Sequence, residues 1–404
     1  RGQTAPPPPA PRGVRPPTGH HPGPGGPRRA RGGAGGAAPH DWPRHRTDPG
    51  REQTTGNDPL LVGGQGAAYY SSLTSDVLSR TLTALGGGWT SRGRSVQSLD
   101  NAVTDVLFSV GARVHSPPPG QAGPVRVTRR DVPPLVTVRA APERRPFGRS
   151  PYRNQELLLG SRVYTVPRLT VADDTGRQVR SGRVGSGTAA ARPVVTARCP
   201  AGTEVHLWAP YYSGTARLAR GGAGPARFHA AYPRNRAAMA PLGTAPASGR
   251  VRIELSPDRP GSIPSGAVGC LDTGRLRAAA ARLTAGGATR VTVSDGTLRA
   301  RLPAGSAGIA VVAAPRIAGW RCATGAGPER PAGRYHGLIA VPLEPGTTTL
   351  TCTFHPPGER LGLTVGAGSL LALGLLAAPA ALRRRRAPAP PATTPPRERL
   401  TTAR

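Results

Sequence analysis

Lysine is absent from this sequence, and acidic and aromatic residues are scarce. All 54 basic residues are arginine, against 21 acidic residues, and aromatics make up 4% of the chain. Glycine (55) and proline (48) are abundant, a bias typical of GC-rich codon usage, which accounts for the net charge of +33. The arginines are spread along the chain without interleaved aromatics and match no nucleic-acid-binding motif. The composition therefore predicts no nucleic-acid partner, despite the charge.

Motifs of the common enzyme classes are also missing. The sequence contains no nucleophile elbow, phosphate-binding loop, pair of metal ligands or protein-kinase motif. Asp173 and Asp174 lie in a DDTG segment between predicted strands, which is typical of a β-turn. We therefore expect no catalytic residue, no cofactor and no metal in this chain. If it did transfer sugars, Asp173, Asp174 and Asp272 would be the carboxylates to test.

Cysteine is limited to Cys199, Cys270, Cys322 and Cys352. None of these residues has the close spacing of a zinc or redox motif, and an even number favours disulfides in an exported protein. Four cysteines allow three connectivities. We predict Cys199–Cys270 and Cys322–Cys352, because each bond would then join nearby strands of one β-rich region. Four free structural thiols are the alternative.

The first 54 residues are rich in proline, glycine and arginine and have too few apolar residues for a core, which predicts disorder. His20, His21, His40 and His45 have neither the spacing nor the acidic neighbours of a metal site. The chain begins at Arg1 without a signal peptide, although its predicted orientation requires export. We therefore expect a further segment upstream.

Residues 55–116 predict a helical pair followed by a short strand. The first helix has serine and aspartate at its start and glycines at its end. Its apolar stripe consists of Leu73, Val77, Leu78, Leu82 and Leu85. Asp100 and Asn101 are candidates for the N-cap of the second helix, Gly111 for its end and Val114 for the strand.

From residue 117 to residue 358 the pattern is that of β-strands. Short runs such as VRVT, LVTV, RVYTV, PVVTARC, EVHLW and VRIEL alternate with turn residues up to residue 270. After one helix near 275–284 the pattern repeats in TRVTV, TLRARL, GIAVVAA, GLIAVPL and TTLTCTF. Regular short strands with glycine and proline between them are typical of antiparallel sandwiches. We predict two β-rich lobes, residues 117–270 and 271–358.

A long apolar run follows the second lobe. From Leu361 to Leu382 no residue is charged, and Arg383–Arg386 come next. A membrane-spanning helix needs about 20 such residues, and the arginine cluster is expected on the cytoplasmic side. A buried helix of a soluble protein is the alternative. The predicted fold class is mainly β, with two β-sandwich-like extracytoplasmic lobes preceded by a short helical pair. One C-terminal transmembrane helix, 361–382, and a cytoplasmic basic tail, 383–404, complete it.

Short motifs follow one another in a definite order in the last lobe. Gly319-Trp320 forms a predicted turn, Gly337 leads a strand that contains Val341-Pro342-Leu343, and Pro356-Pro357-Gly358 precedes the apolar run. Upstream, NDPLLVGGQGAAYYSSLTSDVLSRTLTALG is followed by SLDNAVTDVLFSVGARV. In this order the segments resemble the C-terminal outer domain and last membrane helix of YfhO-type bacterial membrane proteins, over roughly residues 55–382.

The resemblance implies a role in glycosylating cell-envelope polymers such as lipoteichoic acid, by sugar transfer from a lipid carrier. Members of that family carry many membrane helices before this region, and their acidic catalytic residues lie in early outer loops. This sequence contains neither, and the usual proline before Gly-Trp is displaced to Pro315. We therefore expect the chain to be the accessory or substrate-presenting end of a longer multi-pass protein.

A self-contained surface protein is the alternative. The same anchor and disulfides would suit a single-pass protein whose lobes bind a carbohydrate or a protein. Apolar spans encoded upstream of Arg1 would favour the first hypothesis, and a signal peptide there would favour the second.

Aromatic residues are the candidates for sugar binding under both hypotheses. Trp208, Trp320, Tyr211 and Tyr212 could stack on sugar rings, although a role in the core is commoner for such residues. The expected partners are the lipid bilayer and a cell-envelope glycopolymer or lipid-linked sugar.

The orientation is testable in intact cells. Because the positive cluster after Leu382 should hold the tail inside, an external protease is expected to remove the β-rich lobes and leave a tag placed after Arg404 intact. The same tag should be digested in lysed cells, which is the control. Digestion of the tag in intact cells would reverse the predicted orientation.

Overall fold

The computed structural model describes residues 41–50, 64–66, 69–115, 123–140, 145–173, 175–179, 182–185, 192–222 and 224–386, of which 380–386 are described by their backbone only. Two compact units are present, 1–354 and 355–404. As predicted, the described residues are mainly β, with several sheets. The helices are α1 (Asp76–Ala84), α2 (Ala102–Phe108), α3 (Pro151–Leu159), α4 (Thr273–Ala285) and α5 (Glu359–Arg386).

Two small sheets accompany α1 and α2. One has the strand order β1 (Arg46–Pro49), β5 (Val110–His115), β6 (Arg126–Arg129), and the other β2 (Tyr69–Tyr70), β4 (Ser95–Val96), β3 (Trp89–Thr90). β1 runs parallel to β5 and lies within the segment predicted to be disordered. It is ordered because Asp48 is buried in an ion pair with Arg113 of β5, at 2.7 Å. Of the first 54 residues, those outside 41–50 are not among the described residues.

α1 begins later than the apolar pattern predicted. The Ser75 side chain caps it by accepting a hydrogen bond from the Leu78 amide at 3.4 Å. Leu82 and Leu85 are buried on its inner side, whereas Leu73, assigned to the same stripe, is 92% exposed. Leu73 precedes the cap, so the helical periodicity does not extend to it.

α2 is buried along its whole length. Asn101 is its N-cap and accepts hydrogen bonds from two amides of the first turn, at 2.9 and 3.2 Å. The helix ends at Ser109, which adopts a left-handed conformation with φ of 59°. The predicted end, Gly111, instead lies within β5, the strand that was expected around Val114.

The first lobe is a sandwich of two antiparallel sheets. One sheet has the order β14 (Ala226–Phe228), β13 (Gly214–Leu218), β16 (Arg250–Pro257), β11 (Val194–Arg198), β9 (Leu169–Ala172). The other has the order β15 (Ala240–Thr244), β12 (Glu204–Leu207), β18 (Val268–Leu271), β8 (Tyr164–Thr165). A two-stranded ribbon pairs β10 (Arg183–Val184) with β17 (Gly261–Ser262). Alternate residues of both sheets point inward and form one apolar core.

The second lobe is also a sandwich. One sheet has the order β19 (Arg290–Ser294), β20 (Thr297–Arg301), β26 (Thr349–Phe354), β22 (Trp320–Thr324), β23 (Arg330–Pro331). The other has the order β24 (Gly333–Tyr335), β25 (Leu338–Leu343), β21 (Gly308–Pro315), β7 (Val136–Arg139). β7 is the LVTV run, which we had placed in the first lobe, and it pairs with β21 across the predicted boundary. A strand's apolar pattern indicates its buried face but not its partner.

α3 lies in a segment that we had assigned to the β pattern. Its terminal signals are ordinary: Ser150 is the N-cap, Pro151 occupies the first turn, and Gly160 ends the helix with φ of 72°. Strand-like runs on both sides of α3 made these helix signals hard to recognise in the sequence.

A third apolar core joins the helices to the two lobes. Side chains of α1 to α4 pack there against residues of β8, β21 and β25. Gly337, before β25, approaches α1 closely, since a Cβ atom at that position would lie 2.0 Å from Oγ1 of Thr81. The turn before β25 therefore meets α1 at this point.

Both predicted disulfides are confirmed. Cys199, after β11, is bonded to Cys270 in β18, so this bond joins the two sheets of the first sandwich, with the Cα atoms 5.6 Å apart. Cys322 and Cys352 occupy directly opposed positions on β22 and β26, with the Cα atoms 4.0 Å apart. Each bond therefore lies within one lobe and restricts the unfolded chain in that region.

The C-terminal unit contains α5, which includes the predicted span 361–382. The helix is long and apolar enough to cross a membrane. Its large apolar side chains are exposed, with Leu370 at 72% and Leu376 at 76%. An apolar surface of this length is typical of a membrane anchor.

Gly337→Ala should destabilise the protein more than a substitution at a comparable glycine. The positive φ of 93° at Gly337 costs alanine about 1–2 kcal/mol, and the clash with Thr81 adds about 1–3 kcal/mol of overpacking. Gly346→Ala is the matched control, because Gly346 has φ of 82° and an added Cβ there would meet no atom within 4 Å. Urea unfolding of both variants measures the difference. Equal losses of unfolding free energy in the two variants would show that the Thr81 side chain moves aside at no energetic cost.

Candidate ligand-binding site

The carboxylates singled out in the sequence have structural roles where they are described. Asp272 is the N-cap of α4 and accepts a hydrogen bond from the Arg275 amide at 2.9 Å. Asp173 closes a tight turn by accepting hydrogen bonds from the hydroxyl (2.6 Å) and amide (3.0 Å) of Thr175 and from the Arg177 amide (2.9 Å). The hydroxyl contact above all lowers the pKa of Asp173. Asp174 lies outside the described residues.

A buried ionic cluster surrounds Arg113. Its guanidinium donates hydrogen bonds to Asp48 at 2.7 Å and to Asp105, through Nε, at 2.9 Å, and Asp100 lies 3.5 Å away. Although burial alone would lower the pKa of Arg113, the Asp105 and Asp48 carboxylates raise it. Asp48 and Asp105 are 3% and 1% exposed. The cluster is therefore inaccessible to a substrate, and its role is to link β1, α2 and β5.

Among the described residues, histidine, cysteine and acidic side chains form no group of three that could hold a metal ion. His45 lies 3.4 Å from Asp41, and the other N-terminal histidines singled out in the sequence lie outside the described residues.

Aromatic residues from separate segments converge on one surface of the first lobe. Tyr211 and Tyr232 meet edge to face, with ring centroids 5.7 Å apart at 85°, and Trp89 lies 6.5 Å from Tyr232 at 52°. The Arg236 guanidinium lies over the rings of Tyr211 (5.3 Å) and Trp208 (6.0 Å). We call these five residues the aromatic cluster.

Backbone pairing positions the aromatic cluster. Trp89 of β3 and Arg236 exchange two backbone hydrogen bonds, of 3.0 and 2.8 Å, which tie the Tyr232 loop to the N-terminal sheet. Trp208 follows β12 and donates its amide proton to the carbonyl of Ala267 at 2.8 Å. Arg236 also donates a hydrogen bond to the hydroxyl of Tyr211 at 3.1 Å. The rings are therefore held by sheet structure, in the manner of a pre-formed surface.

Two clefts flank the aromatic cluster. The first, which we call the aromatic cleft, has a volume of about 480 Å³ and is lined by Trp208 and Arg236 together with residues of α1 and of the segment before α3. The second, which we call the ribbon cleft, has a volume of about 520 Å³ and lies between Tyr211 and the β10–β17 ribbon. Both volumes are in the range of ligand sites.

Two polar groups of the aromatic cluster have no hydrogen-bond partner among the described residues. These are the indole Nε1 of Trp208 and Nε of Arg236, both buried. Buried donors in proteins are normally satisfied by protein, water or ligand. The cluster thus combines exposed ring faces, suited to the apolar faces of a sugar, with two N–H donors that the described residues leave unsatisfied.

The four aromatic residues predicted for sugar stacking divide into two groups. Trp208 and Tyr211 belong to the aromatic cluster. Tyr212 is fully buried in the first core and donates to the Thr215 carbonyl at 2.8 Å. Trp320 packs on Phe354 of the second lobe, with ring centroids 5.4 Å apart. Tyr212 is therefore a core residue, and Trp320 is partly buried and packs against the core of the second lobe.

Three members of the aromatic cluster were missed in the sequence: Trp89, Tyr232 and Arg236. Trp89 lies far along the chain from Tyr232 and Arg236, and each is a single aromatic or basic residue without a local motif. The scarcity of aromatics was the one available signal, since it makes every exposed tryptophan or tyrosine notable.

Comparison of the chain with protein-family models, with curated proteins and with solved structures finds no match.

Asp105→Asn is expected to destabilise the protein by about 3–5 kcal/mol, because it breaks a buried ion pair and leaves Arg113 undercompensated. Asp76→Asn is the matched control, since Asp76 pairs with Arg80 at 2.7 Å with both side chains exposed, and its loss should cost at most about 1 kcal/mol. Denaturant unfolding measures both. Similar effects for the two variants would contradict the structural role of the buried cluster.

Proposed function

We propose that the chain is a membrane-anchored carbohydrate-binding region that presents a cell-envelope glycopolymer or lipid-linked sugar for glycosylation. The observation that carries this proposal is the aromatic cluster between two clefts. Four of the chain's tryptophan (4) and tyrosine (8) residues meet there, in a protein that is otherwise poor in aromatics.

Exposure of the rings supports a binding role. Tyr211 is 46% and Tyr232 66% exposed, although neighbouring rings and backbone pairing hold both in place. Rigid, amphipathic aromatic side chains lose little entropy on binding, which makes them effective contact residues. Their tilted arrangement offers faces in more than one direction, as a chain of sugar rings requires.

The clefts on the two sides suit an extended ligand. One sugar unit could rest against Trp208 in the aromatic cleft and another against Tyr211 beside the ribbon, with Arg236 donating to hydroxyl groups between them. A polymer would therefore be bound along its length by this surface.

The anchor and the disulfides support an outer-surface location. The apolar helix α5 suggests membrane attachment, and two disulfides are favoured on the oxidising side of a membrane. With the arginine cluster on the cytoplasmic side, the β-rich unit would face outward. The YfhO-type resemblance adds the proposed context, glycosylation of an envelope polymer.

Substitutions in the aromatic cluster test the proposal. Tyr211→Ala and Trp208→Ala are each expected to weaken binding of a cell-wall oligosaccharide about tenfold, as loss of a central aromatic contact does. Tyr211→Phe keeps the ring and is expected to bind within about twofold of the parent, because stacking uses the ring face.

The measurement is an array of neutral oligosaccharides followed by calorimetry on the full chain in detergent. A chain that binds no member of the array, or Tyr211→Ala binding as tightly as the parent, would refute the proposal.

A further inference from the structure

A third cleft, with different chemistry, adjoins the aromatic cleft. It has a volume of about 810 Å³ and lies between α1, the segment 145–147 and the turn that precedes β25. Arg80, Arg145, Arg334 and His336 line it, and we call it the basic cleft. Arg80 and Ala84, one turn apart on α1, line both clefts, so the two are continuous along that helix.

Basic side chains outnumber acidic ones in the basic cleft. Among the described residues that line it, Asp76 is the one carboxylate, and it accepts a hydrogen bond from Nε of Arg80 at 2.7 Å. Arg145 and Arg334 contribute two further positive charges. Because the whole chain is arginine-rich, charge alone would not distinguish this surface. Its position next to the aromatic cleft, with which it shares Arg80 and Ala84, and the conformation of His336 do.

His336 is held in an unusual conformation. It has φ of 49°, a left-handed value that is unfavourable for a residue other than glycine. Its ring stacks on Phe147 at 5.0 Å and 25° and meets Tyr335 edge to face at 4.8 Å. The next residue is Gly337, where the chain approaches Thr81 of α1 too closely for any side chain. The contacts with Phe147 and Tyr335, together with the close packing of Gly337 on α1, therefore hold the imidazole in the wall of the basic cleft.

The imidazole is placed to act as a neutral donor. Burial, together with the positive charges of Arg139 and Arg334, lowers the pKa of His336. The ring thus adds a hydrogen-bonding group beside the guanidinium groups.

We propose that the basic cleft binds a phosphate ester of the carbohydrate ligand while the aromatic cleft holds its sugar rings. This inference rests on the proposed function and names the ligand class as a phosphorylated glycan. Arg80 is paired with Asp76, but Arg145 and Arg334 add positive charge to the cleft and His336 adds a further hydrogen-bonding group. A phosphate ester offers more charge than a carboxylate for guanidinium groups to match.

Calorimetry on the full chain in detergent tests the inference with three soluble probes. Glucose 1-phosphate is expected to bind at least about tenfold more tightly than glucose or glucuronate, since hydrogen bonds between charged groups are stronger than those between neutral groups. Arg334→Gln and Arg145→Gln should each weaken glucose 1-phosphate binding about tenfold and leave neutral oligosaccharides unaffected. Arg299→Gln, an exposed arginine of β20, is the matched control and should change neither.

Vesicles distinguish a soluble glycan phosphate from a lipid headgroup. If phosphatidylglycerol vesicles, but not phosphatidylcholine vesicles, displace glucose 1-phosphate in an Arg334-dependent manner, the phosphate ester belongs to a lipid and the site stands. The inference would be overturned if glucuronate bound as tightly as glucose 1-phosphate, or if Arg299→Gln weakened binding as much as Arg334→Gln. It would also be overturned if neither glucose 1-phosphate nor phosphatidylglycerol vesicles bound.

The proposed function can fail separately. An oligosaccharide array without any hit, combined with Arg334-dependent binding of glucose 1-phosphate, would refute the function and retain the phosphate site.

Discussion

A helix buried along its whole length sets the main constraint on this protein. Every residue of α2 is buried, including the charged Asp105, and so is the cap Asn101, so its polar groups must find partners inside the molecule. Arg113 of β5 supplies the partner for Asp105. The Asn101 amide reaches Tyr164 at 3.3 Å and His206 at 3.4 Å. The N-terminal sheet and the first lobe are therefore joined around one short helix.

The positions of the aromatic cleft and the basic cleft follow from that arrangement. α1 packs into the same core as α2, and its other side faces the segment before α3 and the turn of Gly337. The aromatic and basic clefts open along α1 because strands of both lobes meet helices there. These clefts thus form where the helical core joins the sandwiches, and neither sandwich alone contains them.

Sequence reasoning succeeded where the signal was local. The apolar run before Arg383, the alternating strands and the two cysteine pairs all depend on neighbouring residues or on simple pairing of nearby strands. It did not place β7 in the second lobe, because register and partner choice depend on the folded sheet. Nor did it assemble the site: Trp208 and Tyr211 were singled out, but Trp89 and Arg236 join them only through backbone pairing between remote segments.

The cysteine connectivity has a consequence for how the chain matures. Each cysteine is bonded to its neighbour in chain order, Cys199 to Cys270 and Cys322 to Cys352. In a polypeptide that emerges with its N-terminal end first, oxidation in order of appearance yields the native pairs directly. Thiol–disulfide exchange, which requires a free thiolate to attack an existing bond, is then unnecessary. Such a chain can mature without assistance from a disulfide isomerase.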